Sequence, residues 1–172
     1  MLKLTGVILA AVAMPGLVIS VELELLNRQK QLRSLSVFLT FLHNQICVLC
    51  VPLPLVIDAA IRQVGSPYQE VCRSFVTKLE QKSGEEVRIL WQDACRDQKQ
   101  KFVLRGEEWM TFLEIGDALS DGTIGFREQV FSLLEKRVIC LQNEFSDSLA
   151  EKRKITRFGI VASGLFLIVL LI

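Results

Sequence analysis

The chain has 172 residues, 51% of them apolar, and its mean hydropathy is positive. This length leaves room for one soluble domain of about 130 residues together with membrane segments, and a second full domain is not expected. The formal net charge is only +1, because positions 22–157 carry equal numbers of acidic and basic residues. Nucleic-acid binding requires a clustered excess of Lys and Arg, so the charge argues against it.

Cysteine usage bears on the compartment in which the protein resides. The chain has five cysteines, and only Cys47 and Cys50 lie close together in the sequence. An odd number of widely spaced cysteines does not match the paired pattern of a small domain that is stabilised by disulfides. We therefore expect these thiols to be reduced.

The first predicted element is an apolar segment at 1–24, in which residues 4–21 carry no charge and follow Lys3. Its length matches that of a membrane-spanning helix. A cleaved signal peptide is the alternative, because Ala-Val-Ala at 11–13 resembles a cleavage site. The apolar run continues well past that site, which favours an uncleaved anchor and leaves cleavage open.

Residues 25–154 are predicted to form one helical domain. Apolar residues recur every three or four positions, and no alternating strand pattern of comparable length competes with them. The first helix continues from the N-terminal segment to about residue 49, and Pro52 and Pro54 end it. The helical segments that follow lie at 54–65, 67–82, 85–101 and 106–119. Trp91 and Trp109 are predicted core residues of the last two segments.

The longest predicted helix covers 126–172. Its first part carries an apolar stripe at helical spacing, formed by Phe126, Val130, Leu134, Val138, Leu141, Phe145 and Leu149. A basic stretch follows at 152–157, and no charged residue occurs from 158 onwards. We therefore expect the first part of this helix to pack in the soluble domain and residues 155–172 to cross the membrane.

The basic residues that flank the two apolar segments predict the orientation in the membrane. Those on the domain side are Arg28, Lys30, Arg33, Lys152, Arg153, Lys154 and Arg157. Beyond the segments only Lys3 carries a positive charge. Lys and Arg near a span favour the cytoplasmic side. Both termini are therefore predicted to lie outside the cytoplasm and residues 25–154 inside it.

Few residues of the chain could support catalysis. The dipeptide Gly-Lys does not occur, which excludes a P-loop, and His43 is the single histidine. Cys47 and Cys50 follow it by four and seven residues, so a regular helix would place all three on one face. A metal would lack a fourth ligand there, and a redox pair would sit at the wrong end of the helix for a lowered thiol pKa. We interpret the three as packing residues and predict no catalytic, cofactor or metal site.

Charged residues near the two tryptophans form the predicted partner-binding surface. A basic group lies at the end of the fourth helix and just after it, and an acidic group lies on the fifth. Either the two groups pair with each other, or they form an outward docking patch whose contacts weaken with salt. The residues are Arg96, Lys99, Lys101, Arg105, Glu107, Glu108 and Glu114.

An ordered set of features resembles the stage III sporulation protein AB family. In chain order they are a short apolar N-terminal span, Pro-Leu-Pro-Leu at 52–55, Trp91 in the fourth helix, Phe-Leu-Glu-Ile-Gly-Asp-Ala-Leu at 112–119, the turn with Gly122, and a long helix that opens at Gln129 and ends in an apolar run. The resemblance covers essentially the whole chain and is strongest over 116–129. No single motif among these features is diagnostic.

The resemblance implies a fold and a role. That family is similar to the cytoplasmic helical domain of the type II secretion inner-membrane platform protein. This implies an all-α, six-helix bundle, flanked here by N- and C-terminal transmembrane helices. It also implies a non-enzymatic scaffold in the mother-cell membrane around the forespore, within a secretion-like channel complex.

The resemblance also implies partners, and it leaves alternatives open. The implied partners are the membrane, a secretion-type ATPase and other stage III sporulation proteins, and a homo-oligomer is left open. A helical membrane adaptor or sensor with other partners is the first alternative. A membrane-bound thiol redox enzyme that uses Cys47 and Cys50 is the second.

Overall fold

The computed structural model describes the backbone of residues 2–81, 84–120 and 122–171, and the side chains of 22–81, 84–120 and 122–149. All regular secondary structure in this part of the chain is helical, with no strand. The predicted all-α class is therefore confirmed.

Seven α-helices follow one another along the described residues. They are α1 (Leu2–His43), α2 (Leu53–Gln63), α3 (Tyr68–Gln81), α4 (Val87–Asp97), α5 (Glu107–Leu113), α6 (Ile115–Leu119) and α7 (Ile124–Leu171). A π-helical turn at Asn44–Val48 extends α1, and a 3₁₀ turn at Lys99–Lys101 follows α4. The helix predicted at 106–119 is interrupted at Glu114. The predicted count of six helices holds when α5 and α6 are taken together.

The chain divides into two compact units. Arg28–Gln142 forms a helical bundle, and Met1–Asn27 with Asn143–Ile172 forms the second unit. Within the bundle, α3 packs against both α2 and α4, and α4 packs against α6. The surfaces considered below all belong to the bundle.

The core of the bundle is an aromatic cluster around Trp91. Phe38 stacks on the indole at a centroid distance of 6.2 Å, and Phe75 and Phe112 meet it edge-on at 5.4 Å each. The indole N–H donates to the backbone carbonyl of Phe112 at 3.1 Å, so this buried polar atom has a partner. The prediction that Trp91 is a core residue is confirmed, and Trp109 is likewise buried.

The apolar stripe of α7 is confirmed in its middle but was placed wrongly at its start. Leu134 and Val138 are buried as predicted, whereas the side chain of Phe126 is 51% exposed. Phe131 is buried instead, and its ring stacks on the imidazole of His43 at 5.6 Å. Phe131 lies three residues before Leu134 and seven before Val138, so it is on the same face of α7 as these two buried residues.

The membrane segments stay predictions. Among the described residues, no helix is both long enough and apolar enough to cross a membrane. The expected segments at 1–24 and 155–172 lie outside the residues whose side chains are described, apart from 22–24. The domain bounds of 25–154 depend on these two segments and are likewise untested.

Candidate partner-docking surface

The array of His43, Cys47 and Cys50 does not share one helical face, and this expectation was wrong. α1 ends at His43, and the next turn is π-helical, so the amide N–H of Leu49 donates to the carbonyl of Asn44 at 3.0 Å. A π turn is wider than an α turn, so it shifts the positions that follow. Cys50 then takes a left-handed conformation with φ of 52°.

The contacts of His43 and Cys47 are those of packing residues. The Nδ1 atom of His43 lies 3.3 Å from Oε1 of Glu135. Burial, followed by the carboxylate of Glu128, raises the pKa of Cys47, which disfavours the reactive thiolate. Among the residues that the structure describes, no three His, Cys, Asp or Glu side chains are grouped to bind a metal ion.

Four basic residues form an exposed surface between α4 and α5, which we call the basic shoulder. They are Arg96, Lys99, Lys101 and Arg105, and all four are exposed. Lys101 pairs with Glu70 of α3, and Nη1 of Arg96 lies 3.5 Å from Asp93. Nζ of Lys99 lies 5.8 Å above the ring of Trp109, where the positive charge faces the π-electrons.

Glu108 lies inside the bundle, so its expected position on an exposed edge was wrong. Its two carboxylate oxygens accept from Nε of Arg28 at 3.1 and 2.9 Å. One of them also accepts from the backbone N–H of Arg105 at 3.1 Å. Glu108 is 3% exposed because the first turn of α5 also buries Trp109. Leaving a buried carboxylate without these partners would be costly, so Glu108 is not available to a partner protein.

The other two acidic residues differ from Glu108. Glu107 is exposed, whereas Glu114 is half-buried and lies 2.5 Å from Nη1 of Arg137 on α7. Lys101, Glu108 and Glu114 therefore form ion pairs with residues of α3, α1 and α7. Partner binding by the exposed members of the set stays a prediction.

Two side chains of α1 hold the segment that carries the shoulder, a role that was not predicted for either of them. The amide of Gln31 donates to the carbonyl of Lys101 at 3.2 Å and accepts from the N–H of Val103 at 2.9 Å. Arg28 acts through Glu108 at the other end of the segment. The sequence did contain one sign of a special role for Arg28. With Leu25, Leu32 and Leu35 it occupies the positions of a heptad pattern that are usually apolar.

Comparison with known proteins identifies the family to which the chain belongs. The model of the family described as stage III sporulation protein AB matches residues 3–172. The chain is similar to a solved structure of a stage III sporulation protein AB, with a TM-score of 0.66 and 15% sequence identity over 73% of this chain and 98% of that one. That likeness shows the fold alone. No curated protein matches the sequence. Because the family match extends over nearly every residue, the chain belongs to the stage III sporulation protein AB family.

Proposed function

We propose that this protein is a non-enzymatic, membrane-anchored scaffold of a sporulation-specific, secretion-like channel complex between the mother cell and the forespore. Family membership supports a role in stage III of sporulation. In the proposal, segments 1–24 and 155–172 anchor the chain in the mother-cell membrane around the forespore. Residues 25–154 face the cytoplasm and couple a secretion-type ATPase to the membrane assembly.

The observation that carries the proposal is the contrast between a satisfied interior and a charged, exposed shoulder. Every buried side-chain nitrogen and oxygen of the described residues has a hydrogen-bond partner. Catalytic sites usually hold polar groups whose pKa is strongly perturbed and which face a cleft. Among the residues of the bundle that the structure describes, large pKa shifts belong instead to Tyr68, Cys72 and Cys95, which are buried in the core. Binding is therefore the function that this surface supports best.

The chemistry of the shoulder indicates the kind of surface that it would meet. Exposed charges of one sign steer a partner of opposite charge and fix its orientation. We therefore expect an acidic surface on the ATPase and a contact that weakens as salt is added. Glu107 adds a negative charge beside the shoulder, which would help to orient the ATPase on it. Glu108 is buried and Glu114 is half-buried, unlike the four cations, so we leave these two acidic residues out of the contact.

Charge reversal tests the proposal. The triple variant Lys99→Glu, Lys101→Glu and Arg105→Glu would be expressed as the full chain in membranes and used to co-purify the secretion-type ATPase of the same organism. Like charges across an interface oppose binding, so retention should fall at least about tenfold. The matched control reverses Arg62, Arg73 and Lys136, which are also exposed but lie on other helices. Unchanged retention by the shoulder variant would show that docking occurs elsewhere.

A second variant removes an ambiguity in that test. Lys101→Glu would place two carboxylates together, because Lys101 pairs with Glu70. The double variant Lys99→Glu and Arg105→Glu keeps that ion pair. Reduced retention by the double variant would therefore not be due to repulsion between positions 70 and 101.

The alternative function is a helical membrane adaptor or sensor with other partners. It would use the same fold and the same exposed shoulder. The co-purification separates the two, because an adaptor of that kind would not retain the ATPase in any of the variants or in the wild-type chain.

A further inference from the structure

We infer that Arg28 and Gln31 of α1 are positioning residues for the basic shoulder: they fix the path of the chain that carries it and so pre-organise it for docking. The inference rests on the proposed function, since it concerns the same surface. It adds two residues that are not themselves part of the contact.

Gln31 holds the backbone of the shoulder segment at two points. Its amide donates to the carbonyl of Lys101 at 3.2 Å and accepts from the N–H of Val103 at 2.9 Å. Between these points Phe102 is buried, with its ring 5.1 Å from Tyr68 and 5.4 Å from Trp109. The bonds reach the main chain, so they fix the course of the segment and not only one side chain.

Gln31 is itself held in place. The backbone carbonyl of Gln31 accepts from the hydroxyl of Tyr68 at 2.8 Å, and Tyr68 is buried in the aromatic cluster. α1, α3 and the shoulder segment therefore meet at one residue, whose backbone accepts from Tyr68 and whose side chain bonds the segment. A residue whose backbone is held in this way can impose its geometry on a neighbouring loop.

Arg28 holds the other end of the segment through Glu108. The carboxylate of Glu108 accepts from Arg28 and from the backbone N–H of Arg105. Gly106 follows with φ of 50°, a conformation that glycine adopts at little cost. The stretch from Lys101 to Arg105, which bears two of the four shoulder cations, is thus tied to α1 at both ends.

The segment depends on these ties because it has no regular structure of its own. After the 3₁₀ turn ends at Lys101, no helix begins until Glu107. A loop without such ties must be ordered when a partner binds, and that lost entropy weakens the affinity. Removing the tie from Gln31 should therefore weaken docking while every shoulder charge stays in place.

The experiment compares Gln31→Met with Gln142→Met in the full chain. Gln142 lies on α7 and also donates to a carbonyl of α1, that of Leu32 at 3.1 Å, but this bond does not involve the shoulder segment. Hydrogen exchange would be followed in peptides that cover 99–108, and the Kd for the secretion-type ATPase would be measured. In Gln31→Met we expect exchange in 99–108 to rise at least about tenfold. We expect the Kd to increase about three- to tenfold at an unchanged melting temperature, and no change in the control.

The outcomes separate this inference from the proposed function. If the wild-type chain does not bind the ATPase, the proposed function fails and the inference fails with it. If the wild type binds, and Gln31→Met exchanges faster but keeps the wild-type Kd, only the positioning role is overturned. Unchanged exchange in Gln31→Met would show that Gln31 does not hold the segment. Should that variant unfold, Arg28→Lys gives a second test, because it keeps the charge and loses the guanidinium geometry.

Discussion

Gly116 lies where α6 crosses α4, and its missing side chain allows the two helices to approach. A Cβ at this position would lie 3.0 Å from Cδ1 of Trp91 and 3.2 Å from the carbonyl oxygen of Arg88. The first is an atom of the buried indole and the second belongs to the backbone, so neither can move freely. Gly116 falls within the block that carries the strongest resemblance to the family.

We predict that Gly116→Ala lowers the free energy of unfolding by about 1–3 kcal/mol, the usual cost of overpacking a core. Denaturant unfolding of the full chain, followed by tryptophan fluorescence, would measure it. The control is Gly125→Ala in α7, where an added Cβ meets nothing within 4 Å. That control should be neutral or stabilising by up to about 1 kcal/mol, because alanine favours helix. Equal stability of both variants would contradict the packing account.

Two buried thiols predict how stability depends on pH. Burial raises the pKa of Cys72 from its usual 9.0 to about 12, and it also raises the pKa of Cys95. The folded state then keeps protons that the unfolded state loses as the pH rises above about 9. Stability should therefore fall between about pH 9 and 12, by up to about 1.4 kcal/mol per pH unit for each thiol.

Unfolding by urea at pH 8 and at pH 10.5 would test this pH dependence. The variant Cys72→Ala should be less stable at pH 8, because a buried site shrinks, but its stability should fall less steeply as the pH rises. A wild-type chain that is equally stable at both pH values would show that the thiols titrate normally.

The π turn after α1 is the element in which the sequence offered the sharpest chemical pattern. The spacing of His43, Cys47 and Cys50 assumed a regular α-helix, and the widened turn removed that regularity. Such a turn does not change the apolar periodicity, which continues through Leu42 and Ile46. The sequence therefore showed the spacing of the three residues but not the backbone geometry that separates them.

We predict that replacing Cys47 and Cys50 together by Ala leaves sporulation intact. The expected cost is one of packing, about 1–3 kcal/mol at most, since Cys47 is only half-buried and Cys50 is exposed. Spore counts and the melting temperature of the purified chain would be measured together. Loss of spores at an unchanged melting temperature would restore a chemical role for the pair.

Helix positions were predictable because apolar periodicity reports which face is buried. The segments at 54–65, 67–82 and 85–101 became α2, α3 and α4 with their ends shifted by a few residues. The break at Glu114 was not predictable, because no proline marks it in the sequence. The burial of Glu108 was missed because its partner Arg28 lies 80 residues away in sequence.

For the molecule as a whole, the orientation of the bundle is the expectation that other claims depend on. It predicts that residues 25–154 face the cytoplasm. A cysteine introduced at the exposed Gln81, in a chain whose exposed Cys50 and Cys140 are replaced by Ala, would report the side. We expect no labelling of intact cells by an impermeant thiol reagent and full labelling after permeabilisation. Labelling of intact cells would reverse the orientation.

In our proposal the basic shoulder is the functional surface of a sporulation scaffold. To test this, spore yield would be measured in strains whose sole copy of the protein is the wild type, the Lys99→Glu, Lys101→Glu and Arg105→Glu variant, or the Arg62, Arg73 and Lys136 control. With equal amounts of each chain in the membrane fraction, we predict that the shoulder variant lowers heat-resistant spores to the level of a strain that lacks the protein. The control should sporulate as the wild type does. Normal spore yield from the shoulder variant would show that the basic shoulder is not the functional surface.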